Sequence, residues 1–266
     1  MGDTPRSVTG RLAHRSVVLA LGAVLLLVFL ALPPHSIGEK AALIGYGLCH
    51  QEAERSYFVG GRQLPLCARD TGTYLGALAT LACVAATRRR RGTELPPTAL
   101  LVAYALGFVF FVVDGVNSYA GPLPLLPRLY PPDNRLRLLS GMLMGSGIAA
   151  ILVPLFNYTV WMTAPRVRAL SGPALAALPL ALALSYISVV GAPSWMYLPL
   201  AGALAFGVLL VLSAVNGLLL LVILRQDQLG REWRDALYVL SWGLMLTAME
   251  LVALGVLRYF VERTVA

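Results

Sequence analysis

Between Ala169 and Leu224 the chain carries no Asp, Glu, Lys or Arg. A stretch of that length is too apolar for the surface of a soluble domain. It is long enough for two passes through a hydrocarbon layer ~30 Å thick, each needing about 20 residues. The sequence Gly191-Ala192-Pro193-Ser194 interrupts it with turn-forming residues, so it reads as a hairpin of two membrane helices. Inside a bilayer the backbone must satisfy its own hydrogen bonds, which leaves helices or a closed barrel, and nothing here alternates with a strand's period of two. The rest of the chain follows suit: 58% of residues are hydrophobic and 13% charged, against about 25% charged in ordinary soluble domains.

Five further apolar runs complete the pattern: Ser16–Leu32, Thr71–Thr87, Pro97–Val113, Leu138–Met162 and Ala236–Leu257. The expected fold class is therefore all-α, a polytopic integral membrane protein of about seven transmembrane helices. Its expected division is a four-helix unit over 1–162 and three further helices over 163–266. The first run follows Arg6, Arg11 and Arg15 but ends in Leu-Ala-Leu-Pro-Pro without a small-x-small cleavage site, so it reads as an uncleaved helix. With the N-terminus inside, the inner segments hold 12 Lys and Arg and the outer ones 9. The inner charges fall on short loops, where the positive-inside rule has force, so the expected topology is N-in and C-out. The net charge of +8 is thus a topology signal. It argues for a lipid bilayer as partner, in a prokaryotic plasma (inner) membrane, and against nucleic acid.

One polar island stands out, from Cys49 to Gly76, with two of the three cysteines, one of the three histidines and the pair Arg69-Asp70. The topology puts Cys49, His50, Cys67 and Asp70 on the outer face. Asp114 at the end of the third helix and Arg137 at the start of the fourth share that depth. Gly72 and Gly76 on the second helix, with Gly141 and Gly145 on the fourth, form small-xxx-small patterns that let two helix backbones approach closely.

Cys49 and Cys67 are compatible with a disulfide across an oxidising face, with a metal site, or with a catalytic thiol beside His50. As metal ligands, Cys49, His50, Cys67 and Asp70 suit zinc or another borderline divalent cation. Arg69 and Arg137 at helix starts offer an anion site, or ion-pair partners for Asp114. Cys83 reads as a small core residue. Glu250 reads as a hydrogen-bond partner for Asn216 and only secondarily as part of a proton path. The Asn157 glycosylation sequon falls inside an apolar run. The chain has no glycine-rich phosphate loop, no His-Glu-x-x-His and no nucleophile elbow, so the common soluble-enzyme chemistries lack support.

The residues Cys49-His50-Gln51, Arg55-Ser56, Leu66-Cys67-Ala68-Arg69, Thr71-Gly72, Tyr74 and Gly76 resemble the signature of a family of predicted membrane proteins, domain of unknown function 2085. Asp114-Gly115 and Asn134-x-x-Arg137-x-x-Ser140-Gly141 resemble its second half, placing Arg69, Asp114, Asn134 and Arg137 at the edge of the site. The resemblance covers roughly Ser16 to Leu155 and implies no established activity. In many members a third cysteine stands where this chain has Asp70. The expectation is a membrane-embedded protein, metal- or thiol-dependent, acting on a lipid-soluble or periplasmic substrate. An accessory subunit of a membrane complex with a disulfide-locked cap, and a small-solute transporter, are the competing expectations.

Overall fold

The computed structural model describes residues 5–119, 128–225, 228 and 230–265. The middle of the expected outer loop Asn117–Arg137 (120–127), parts of the charged loop Arg225–Asp235 (226, 227 and 229) and the side chains of Arg6 and Arg11 lie outside that description. The elements in order are α1 (Pro5–Ala31), α2 (Ile37–Tyr46), β1 (Ser56–Val59), β2 (Arg62–Cys67), α3 (Ala68–Ala85), α4 (Thr98–Tyr119), α5 (Asn134–Val160), α6 (Pro173–Val190), α7 (Tyr197–Leu224) and α8 (Trp233–Val265).

The chain is 74% helical, and five helices, α4 to α8, are long and apolar enough to cross a membrane. The apolar part of α1, Arg15–Ala31, is shorter, and α3 begins with Arg69 and Asp70. Two elements add to the expected long helices, and the second departs from an all-helical fold. A short helix, α2, follows α1, and β1 and β2 pair as an antiparallel ribbon. The ribbon arises because Gly60 and Gly61 adopt φ of +59° and +76°, the left-handed pair that a two-residue hairpin turn needs and that glycine reaches without strain.

The seven long helices alternate between two ends of the bundle. At one end Arg15 of α1 pairs with Asp235 of α8 at 2.5 Å. There Arg91 lies over the rings of Trp161 and Trp233, 3.9 and 4.7 Å from their centroids. At the other end Lys40 donates to the carbonyls of Phe29 and Leu32, closing α1, and Arg62 stacks 4.1 Å from the Tyr197 ring at the start of α7. The polar island lies at this second end, where α1, α4, α6 and α8 finish and α3, α5 and α7 begin.

α3 and α5 pack backbone to backbone, as their glycines predict. A Cβ on Gly141 would lie 2.0 Å from the Arg69 carbonyl oxygen, and one on Gly145 only 1.7 Å from that of Thr73. Gly72 and Gly76 face the carbonyls of Leu138 and Met142 in the same way, at 2.1 and 2.3 Å. Deeper in the bundle, Ser146 of α5 joins Thr80 of α3 (2.7 Å) and Tyr104 of α4 (2.8 Å) through their hydroxyls. The largest core cluster gathers Ile44, Val59, Leu64, Met142, Val189 and Leu204, so α2, the ribbon, α5, α6 and α7 share one interior. Asn216 of α7 donates to Glu250 of α8 at 2.7 Å, the structural use expected of that pair. Asn157 is buried and donates to the carbonyls of Arg90 and Gly92, so the sequon tethers a loop to α5.

Candidate functional site

Two chain segments bring the cysteines together. The ribbon delivers Cys67 straight into α3 as its N-cap residue, with Asp70 in the first turn. A carboxylate there is favoured by the helix dipole, and its Oδ2 accepts from the Cys67 thiol at 3.1 Å. The other segment is the turn after α2. Gly45 presses against β2, where a Cβ would lie 2.1 Å from the Pro65 carbonyl oxygen, and Gly47 presses against α8 at Leu251. Only glycine permits both approaches, and together they turn Cys49 inward.

Gln51 fixes that turn. Its backbone is left-handed (φ +54°), and its side-chain amide donates to the carbonyls of Ala42 (2.9 Å) and Pro65 (2.8 Å). The Cys49 sulfur then accepts two backbone N–H groups, from Cys67 at 3.2 Å and Gln51 at 3.4 Å. The neighbouring Cys67 side chain, aided by these amides and opposed by burial, lowers the Cys49 pKa. Cys67 is pushed up by Cys49, by burial and by Asp70. The two backbone N–H groups thus favour a thiolate at Cys49, and the Asp70 carboxylate disfavours one at Cys67. Both cysteines, like Cys83, carry free sulfurs. The ligand atoms of Cys49, Cys67 and Asp70 all lie within 4.8 Å of one another.

His50, the fourth residue of the expected ligand set, is not part of this close trio. The turn that buries Cys49 leaves His50 exposed at the rim, with its carbonyl held by Arg258 at 3.0 Å. Arg258, near the end of α8, also donates to the carbonyls of Tyr46 (3.0 Å) and Cys49. Nothing in the Cys49–Gly76 stretch signals this clamp, since its partner lies in the last helix.

Beneath the cysteines lies a layer of arginines. Arg69 pairs with Asp114 at 2.5 Å, and the Asp114 side chain is only 1% exposed. Tyr130 donates to the other oxygen of Asp114 at 2.9 Å. Arg137, 6% exposed, donates to Asn134 at 2.8 Å and to Ser118 at 3.4 Å. Asn134 in turn donates to the Glu54 carbonyl at 3.1 Å, tying α5 to the approach to the ribbon. Arg69 and Arg137 thus share Ser118, which sits one helical turn beyond Asp114. That i, i+4 spacing was the available signal for Ser118; Tyr130 carried none. A cavity of about 240 Å³ opens among Cys49, Cys67, Asp70 and the guanidinium groups of Arg55, Arg69 and Arg137.

Residues 49–151 match a family described as a predicted membrane protein, domain of unknown function 2085. The match begins on Cys49 and ends within α5, narrower than the resemblance read from the sequence, so α1 and α2 fall outside it. An uncharacterized protein of Methanocaldococcus jannaschii is 26% identical over 109 residues. The aligned stretch is 41% of this chain and 64% of that relative, so the chain spans less than two thirds of the relative's length. No solved structure matches at a significant level.

Proposed function

We propose that Cys49, Cys67 and Asp70 hold a borderline divalent cation such as zinc at the outer leaflet of a prokaryotic plasma membrane, in a protein acting on a lipid-soluble or periplasmic substrate. The observation that carries this reading is the closeness of the three ligand atoms, within 4.8 Å of one another. Ligands at ~2.0–2.3 Å from one tetrahedral ion stand at comparable separations. The donor set fits as chemistry too, because two thiolates and a carboxylate suit a borderline cation better than a hard one. The two amides on the Cys49 sulfur supply the shell that orients and ionises a ligand. Three protein ligands leave a fourth position facing the cavity, the arrangement of a catalytic rather than a structural site. A cation there would supply Lewis acidity and a more acidic bound water. His50 sits at the rim of the same cavity, outside the ligand set.

The alternation of seven long helices between two ends supports seven membrane crossings, with the motif and the N-terminus on opposite sides. The arginine distribution favours the motif outside and the N-terminus inside. Elemental analysis with thiol titration of the denatured, unreduced protein tests the site. Three free thiols and one metal per chain are expected. One free thiol and no metal would replace the centre with a disulfide clasp and leave the accessory-subunit reading.

A further inference from the structure

Three neighbouring cavities share lining residues in series along the outer end of the bundle. The first, about 480 Å³, is an apolar groove walled by Leu25 and Phe29 of α1, Ile44 of α2, Leu209 of α7, and Leu251 and Gly255 of α8. It ends at Tyr46, which also lines a second cavity of about 640 Å³ together with Cys49, His50 and Arg258. Leu48, Cys49 and His50 are shared in turn with the polar cavity of the cysteine site. A single molecule can therefore lie with its tail among aliphatic side chains and its head beside the thiols.

The polar end is cationic in a specific way. Arg137 is 6% exposed, and among the described residues its hydrogen bonds run to Ser118 and Asn134, both neutral, while the nearby Asp114 carboxylate is ion-paired to Arg69. Arg69 buries its Nε without a partner. A buried guanidinium without a counterion is costly, and an anion in the adjoining cavity removes that cost. The groove side is equally specific, since Gly255 keeps it open. A Cβ there would meet nothing nearer than the Tyr46 ring at 3.7 Å, so the glycine serves no close backbone contact.

We propose that this path binds a phosphate-headed membrane amphiphile, with its alkyl or isoprenoid chain in the α1–α2–α7–α8 groove and its phosphate at Arg137. This names the substrate class for the site proposed above and rests on that reading only for what happens to the headgroup. Binding itself needs the groove and the arginines, not the metal.

The test is saturable binding of hexadecyl phosphate to the full chain in phosphatidylcholine nanodiscs, with hexadecanol and inorganic phosphate as the two partial probes. One hexadecyl phosphate per chain is expected, held at least tenfold more tightly than either partial probe. Gly255→Leu should fill the groove and weaken hexadecyl phosphate at least tenfold while leaving inorganic phosphate and thermal unfolding unchanged. Arg137→Gln should remove the preference over hexadecanol, and Arg137→Lys should restore part of it. Equal binding of hexadecanol would reduce the groove to ordinary lipid contact and overturn the proposal. So would inorganic phosphate binding as tightly as the amphiphile, or a folded Gly255→Leu variant with the parent's affinity. Chelator-stripped and zinc-loaded protein should bind alike. Loss of the metal reading by elemental analysis leaves this binding intact, whereas absent binding in a zinc-containing protein sinks this proposal alone.

Discussion

Replacing Asp114 with alanine takes the acceptor from two donors at once, the guanidinium of Arg69 and the phenol of Tyr130. Asp114 is 1% and Arg69 17% exposed, so the change leaves a part-buried cation unpaired and should cost up to about 3 kcal/mol in detergent unfolding. The double variant Arg69→Met, Asp114→Leu should recover most of that loss, because removing both charges removes the desolvation penalty as well. Tyr130 gives the same network a pH signature. Burial, then its bond to Asp114, pushes its phenol up to about 12. The folded state therefore prefers the protonated form, and this contribution is full below the ordinary tyrosine value of about 10 and lost as pH rises from there through about 12. An ultraviolet phenolate titration of the folded protein should show a late-titrating group of tyrosines, smaller by one phenol in Tyr130→Phe. These roles were unevenly legible. Asp114 was readable from the sequence because an acid ending an apolar run demands a partner. Tyr130 was not, since an aromatic residue in a polar loop carries no periodic signal.

At the scale of elements, the contact between α3 and α5 is where sequence pattern and packing agree most closely. Their four glycines sit where a Cβ would fall within 2.3 Å of a facing carbonyl oxygen. Gly141→Leu or Gly76→Leu should lower stability by a few kcal/mol, as overpacking of a close helix pair does, and a detergent melt matching the parent would remove the contact. The ribbon shows the opposite case. Ser56-Tyr57-Phe58-Val59, a Gly-Gly pair and Arg62-Gln63-Leu64 spell a hairpin by turn chemistry, but the strands are short and do not alternate, so no period of two marks them. α2 was hidden differently. Its ten residues, Ile37–Tyr46, are too few to read as a membrane span and adjoin a longer apolar run. Once ribbon and α2 are in place, Cys49 and Cys67 meet without any help from their spacing in sequence. His50 is left out because the turn that buries Cys49 keeps its neighbour at the rim.

For the molecule as a whole, the orientation is the property on which the chemistry depends, since an oxidising or reducing compartment decides the state of two neighbouring thiols. In a chain whose own cysteines are replaced by serine, a single cysteine at position 62 should react with an impermeant maleimide in intact cells, and one at position 90 should not. The reverse pattern would invert the bundle and place the site in the cytoplasm. The clamp made by Arg258 adds a consequence in time. Its guanidinium holds the Cys49 carbonyl across 209 residues of chain, and a ribosome adds roughly 5–20 residues each second. For on the order of 10–40 s the thiol-bearing turn therefore stands in or beside the translocon without the arginine that later holds it. The hold on the first segment of the site to be synthesised is thus completed last, and during that interval Cys49 rests on the Gln51 bonds, open to whatever oxidant, metal carrier or chaperone attends membrane insertion.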